Sequence, residues 1–160
     1  MFRSRPQESP TVNARATVQI DLLPEVVMEF LLDPVSAVLT GQFTERCLHL
    51  PDTPARAVGA QYVSISREDG LLVAGVEELV ELDFPHRAVS VDRTNPGEIT
   101  VAYSCARRAD GGTDYTQEVW MRPEPSHAAI LQRAFEGETI RAVTRIKEVL
   151  ENGDWRPSEA

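Results

Sequence analysis

At 160 residues, with 42% hydrophobic and 26% charged residues, the chain has the length and composition of one domain with a full core. A net charge of -9 argues against a surface that coats RNA or DNA, which needs a basic face, and against adhesion to an anionic membrane. No apolar run is long enough for stable membrane insertion, so the expected partner is an apolar small molecule rather than nucleic acid or bilayer.

In chain order, residues 1–12 are polar, carry Pro6 and Pro10, and read as a flexible tail. They lack the apolar run of a secretory signal, which sets the expectation of a cytoplasmic location. A strand follows at Ala14–Asp21, where Ala16, Val18 and Ile20 alternate with polar residues. Pro24 suits the first turn of a helix that places Val27, Phe30 and Leu31 inward, with Glu25, Glu29 and Asp33 outward. Asp33-Pro34 breaks that helix, and a second short helix from Val35 to Leu39 ends at Gly41.

Six strand-like runs come next: 43–50, 60–67, 71–83, 88–94, 99–108 and 113–122. Asp69-Gly70 and Asp110-Gly111-Gly112 between them are hairpin turns. On the 71–83 run, Val76, Glu78, Val80 and Leu82 read as the core face, leaving Glu77 and Glu81 in an exposed acidic row. Ser126 is a plausible N-cap for a long helix to Glu151, and Gly153 stops it ahead of a second tail at 153–160. This order predicts one α+β domain over 13–152: a seven-stranded antiparallel sheet curled around the long C-terminal helix, with two short helices after strand one. One helix cannot fill such a half-barrel, so a cavity between sheet and helix is expected.

On the long helix, Leu131, Phe135, Ala142, Ile146 and Val149 share a face at about 100° per residue, and Glu138 points the same way. A carboxylate there is either paired, with Arg46 or Arg93 as candidates, or borders a wet cavity as the candidate catalytic residue. Alternation on the strands adds Tyr62, Tyr103, Cys105, Tyr115, Gln117 and His49 to Glu138, Phe135 and Ala142 as candidate ligand-binding residues. Metal and cofactors are expected to be none. His49, His86 and His127 sit on separate elements without ligand spacing, Cys47 and Cys105 lie outside any paired motif, and no glycine-rich phosphate loop opens a helix.

Several segments carry a resemblance to a known family. VQIDLLPEVVMEFLLDP (18–34), VGAQYVSIS (58–66), ELVELDFPHRAVSV (78–91), the Gly111-Gly112-Thr113 turn and the terminal IKEVLEN (146–152) together resemble the START-like, or SRPBCC, superfamily, in its polyketide cyclase/dehydrase-like subgroup. The resemblance runs from about Arg15 to Asn152 and rests on the order and spacing of the motifs. It implies a helix-grip fold around a hydrophobic ligand cavity. The leading expectation is a protein that binds a lipid-like or polycyclic small molecule without catalysis. A cofactor-free cyclase or dehydratase using Glu138, Tyr103 or Tyr115 and His49 is the alternative. A protein-interaction module docking through the acidic convex face is the third reading, and homodimerisation stays open.

Overall fold

Glycines and aspartates at the hairpin tips set the register of the sheet. Asp69 and Gly70 both adopt positive φ (48° and 82°), the geometry of a two-residue turn that matches strand twist. The structure, a computed structural model, describes residues 11–94 and 97–157. Its elements are β1 (Val12–Ile20), α1 (Pro24–Leu31), α2 (Val35–Thr40), β2 (Thr44–His49), β3 (Gln61–Glu68), β4 (Leu71–Asp83), β5 (Arg87–Asp92), β6 (Ile99–Arg107), β7 (Thr113–Met121), a short 3-10 turn at Pro125–His127, and α3 (Ala128–Glu151).

The seven strands form one antiparallel sheet in the order β1-β7-β6-β5-β4-β3-β2. β2 to β7 run as a meander, and β1 returns to pair with β7 from Val12 opposite Met121 to Ile20 opposite Thr113. This is the helix-grip architecture that the sequence pattern implies: α3 packs mainly along β1 and the edge of β7. Ile20, Val27, Met28, Phe30, Tyr115 and Val149 are fully buried where β1, α1 and α3 meet.

Several expectations change at this level. Val12 is buried in β1, so the sheet begins one residue inside the expected tail; residues 1–10 lie outside the described residues. At the other end, the expected tail at 153–160 sends one residue, Trp155, into the core, while 153, 154, 156 and 157 are exposed. Trp155 is 9% exposed, meets Phe30 edge-to-face with ring centroids 5.2 Å apart, and donates Nε1 to Asp33. Asp33 thus faces inward rather than outward. Finally, Ser126 does not cap α3; it lies within the 3-10 turn, and His127 occupies the N-cap position without a side-chain bond.

β4 differs from its expected alternation as well. Leu79 is buried and Glu77 faces the interior, the reverse of the expected alternation. A β-bulge between Leu79 and Glu81 inserts Val80 as an extra residue, which turns Leu82 inward while Glu81 stays outside against Arg87. A single inserted residue shifts the two-residue period by one, so one rule cannot serve both halves of the strand. The expected Glu77/Glu81 row therefore does not form; the outward carboxylates of β4 are Glu78 and Glu81, paired with Arg93 and Arg87.

Candidate functional site

α3 covers one side of the concave sheet, leaving the inner faces of β3 to β6 to be roofed by the α1–α2 turn and by α2. Between them lies a cavity of about 350 Å³. Its floor consists of inward side chains from successive strands: Tyr62 on β3, Glu77 and Leu79 on β4, Ser90 on β5, Tyr103 on β6 and Gln117 on β7. Register brings them together, since Tyr62 lies opposite Glu77, Leu79 opposite Ser90, and Tyr103 opposite Gln117. Leu31, Leu32 and Ala37 roof the space, and Ala142 and Ile146 on α3 form its wall. Gly41 makes the corner from α2 into β2; a Cβ there would sit 2.4 Å from the Ala37 carbonyl oxygen, so no larger residue fits without moving the roof.

Polar groups are concentrated at two places. At the mouth, Arg141 donates Nε to Glu138 at 2.9 Å and pairs with it again through Nη2. The same guanidinium donates Nη1 to the Thr40 carbonyl at 3.2 Å, and Arg145 donates Nε to the Leu39 carbonyl at 3.2 Å. Two arginines of α3 thereby hold the last carbonyls of α2, groups that have no partner within the helix.

On the floor, the Ser90 hydroxyl donates to the Glu77 carboxyl, and the Tyr103 phenol lines the cavity beside them. Burial pushes the Glu77 carboxyl above its ordinary value; the Ser90 hydrogen bond offsets part of this, and the charge of Asp92, directly opposite on β5, adds to it. Burial likewise raises the Tyr103 phenol, with the Glu77 charge second. Burial raises the Cys47 thiol to about 11, helped by Glu77 and Asp33, and raises Cys105 to about 12. Neither thiol is set up as a nucleophile, because the reactive species is the thiolate.

Of the residues expected at the site, Glu138, Ala142, Tyr103, Gln117 and Tyr62 line the cavity. Four others do not. Tyr115 and Cys105 lie deeper in the core, and Tyr115 donates its hydroxyl to Gln117 at 2.9 Å. His49 packs behind Tyr62, with ring centroids 5.6 Å apart, and its Nε2 is held by the Pro54 carbonyl (2.8 Å) and the Thr53 hydroxyl (3.1 Å). Phe135 is half-buried on the flank of α3, away from the cavity lining.

Glu138 is at the rim, with its side chain 52% exposed. Its partner is Arg141, three residues on, while Arg93 is engaged by Glu78 and Glu98 and Arg46 is exposed on β2. The buried arc of α3 includes Thr139, Val143 and Leu150 as well as Ile146 and Val149, so it is rotated away from Glu138 toward Thr139. At about 100° per residue, that one-residue difference moves a side chain from wall to rim.

Glu77 and Ser90 line the site without having been expected there. Ser90 left a signal: it is the single polar residue of Ala88–Val91, a run buried throughout. A hydroxyl fully enclosed by apolar neighbours needs a partner on the adjoining strand. Among the described residues, no three His, Cys, Asp or Glu side chains converge to hold a metal ion.

Comparison with known proteins places the architecture. The family model described as "Polyketide cyclase / dehydrase and lipid transport" matches residues 11–151. Among curated proteins none matches the sequence. Solved structures of similar fold include a protein of unknown function from Staphylococcus aureus, with TM-score 0.75 and 10% identity, covering 93% of this chain and 99% of that one. The Zhui aromatase/cyclase from a Streptomyces species is similar at TM-score 0.73 and 13% identity, covering 94% of this chain and 100% of that one. A norcoclaurine synthase point mutant from Thalictrum flavum, in complex with a transition-state analogue, follows at TM-score 0.72 and 8% identity, with coverage of 94% and 100%. At these identities the likeness is one of fold.

Proposed function

We propose that this chain, which belongs to the polyketide cyclase / dehydrase and lipid transport family, binds a compact, largely apolar small molecule between its sheet and α3. The observation that carries this reading is the cavity of about 350 Å³, lined with apolar side chains from Leu31, Leu79, Ala142 and Ile146 and polar on its floor at Glu77, Ser90 and Tyr103. A pocket of that size with apolar walls and a few convergent polar groups is the common form of a small-molecule site. The walls supply burial, and the floor cluster sets the orientation of the ligand.

A second reading, acid–base chemistry of the cyclase or dehydratase type without a cofactor, is favoured by Glu77. A carboxyl raised above its ordinary value by burial, beside a phenol, can accept or return a proton. That chemistry would run through Glu77 and Tyr103, not through Glu138 and His49.

Titration with N-phenylnaphthylamine, whose fluorescence rises in an apolar environment, tests the binding reading. The native chain should take up the probe at one site, and Ala142→Phe, which fills the cavity from α3, should abolish uptake. Overpacking of this kind costs about 1–3 kcal/mol, so the fold should survive and be verified by circular dichroism. Unchanged uptake in a folded Ala142→Phe variant would defeat the proposal.

A further inference from the structure

Charge inside the cavity is unbalanced. Among the described residues, Asp33, Glu77 and Glu138 line it against one cation, Arg141. That guanidinium is committed to Glu138 and to the Thr40 carbonyl at the rim. Asp33 is committed as well, accepting the Val35 amide at 3.0 Å and the Trp155 indole at 3.1 Å.

Glu77 is different. It sits at mid-floor, its hydrogen-bond partner is the neutral Ser90 hydroxyl, and the neutral Tyr103 phenol lies beside it. A carboxylate offers about four acceptor sites, so these hydroxyls leave it unfilled. The groups that surround it from every packed element are Tyr62 on β3, Cys47 on β2, Asp92 on β5, Gln117 on β7, Asp33 beyond α1 and the Glu138–Arg141 pair on α3. Arg56 acts on Tyr62 from the loop before β3. Among the described residues, no side chain makes an ion pair with Glu77.

We propose that the cavity takes ligands carrying a protonated amine on a compact apolar body, with the ammonium seated on Glu77 and the body against Leu31, Leu79 and Ile146. The inference rests on the cavity being a small-molecule site and adds the chemical class of the ligand. An ammonium brings three donors and the missing positive charge to a carboxylate that has spare acceptor sites. A ligand carboxylate or phosphate would meet Glu77, Asp92 and Asp33 as like charges. Partial exclusion of water by the apolar walls strengthens the attraction for a cation as much as the repulsion of an anion.

Calorimetric titration of the full chain with naphthylmethylamine and its neutral counterpart, naphthylmethanol, tests this near pH 7. The native protein should prefer the amine by about tenfold or more. Glu77→Gln, whose amide oxygen still accepts from Ser90, should lose that preference while keeping its affinity for the alcohol. A pH series on the native protein repeats the test without a variant: amine affinity should fall as acid protonates Glu77, and alcohol affinity should stay level. Equal binding of amine and alcohol by the native chain would overturn the amine inference and leave the cavity reading standing. Failure of both compounds and of N-phenylnaphthylamine would overturn both. An amine preference that survives in Glu77→Gln would overturn the assignment to this carboxylate.

Discussion

Trp155 donates its indole Nε1 to Asp33 Oδ2 at 3.1 Å, so a residue beyond the last helix braces the roof of the cavity. The contact is possible because Gly153, at φ 73°, reverses the chain after α3 and returns it across Phe30. A left-handed residue at this point costs glycine little and other residues more.

Trp155→Ala should therefore behave as a core substitution, with a loss of about 3–5 kcal/mol in chemical denaturation. Probe binding in the cavity should weaken too, since Asp33 loses its restraint. A stability change within the range of ordinary surface substitutions, about 0.5 kcal/mol, would show that the segment adds nothing to the core.

The Glu77 carboxyl, raised chiefly by burial, gives stability a definite dependence on pH. A carboxyl whose folded value lies above its unfolded value binds more protons when folded. Its contribution is fully present below the ordinary value of 4.5 and is lost as pH rises through the folded value. Glu77→Gln should thus raise the melting temperature at neutral pH, and the gain should shrink to nothing as pH falls toward 4.5. Glu151, lowered by its hydrogen bond from Lys147, works in the opposite direction and is common to both proteins, so the difference between their pH curves isolates Glu77. Parallel curves for the two proteins would contradict the raised value.

Cys47 should be slow to alkylate. Its thiol is raised from 9.0 to about 11, which cuts the thiolate fraction by about a hundredfold at mildly alkaline pH. Iodoacetamide labelling followed by intact-mass measurement should show that lag relative to a free thiol, and Glu77→Gln should shorten it by removing a neighbouring negative charge. Labelling at the rate of a free thiol would mean that the cavity wall at β2 is open to solvent.

Much of this molecule is legible locally. The paired turn residues, Asp69-Gly70 and Asp110-Gly111-Gly112, mark their hairpins because few other residues accept those backbone angles. Pro24, Asp33-Pro34 and Gly41 bound the two short helices for the same kind of reason, and both helices form within two residues of the expected limits. Seven strands and a long C-terminal helix follow from such punctuation together with periodicity. A cavity follows in turn, because one helix cannot fill a curled sheet of that width.

What lies in the cavity was decided by tertiary contacts. Helical spacing groups Glu138 with Phe135 and Ala142, but the packing of α3 along β1 selects an arc centred nearer Thr139 and Val143, which leaves Glu138 at the rim with Arg141. Strand alternation separates Glu77 from Val76 without saying which of them faces in, and the bulge at Val80 reverses the count partway along β4. Gly153 announces the end of a helix, yet only the Phe30 ring and the Asp33 carboxylate give Trp155 a place to go. A residue's period belongs to its own backbone and can be read from its neighbours in sequence. The direction of that period, inward or outward, belongs to the partner surface, and for Glu77 that surface is made by residues far from it along the chain.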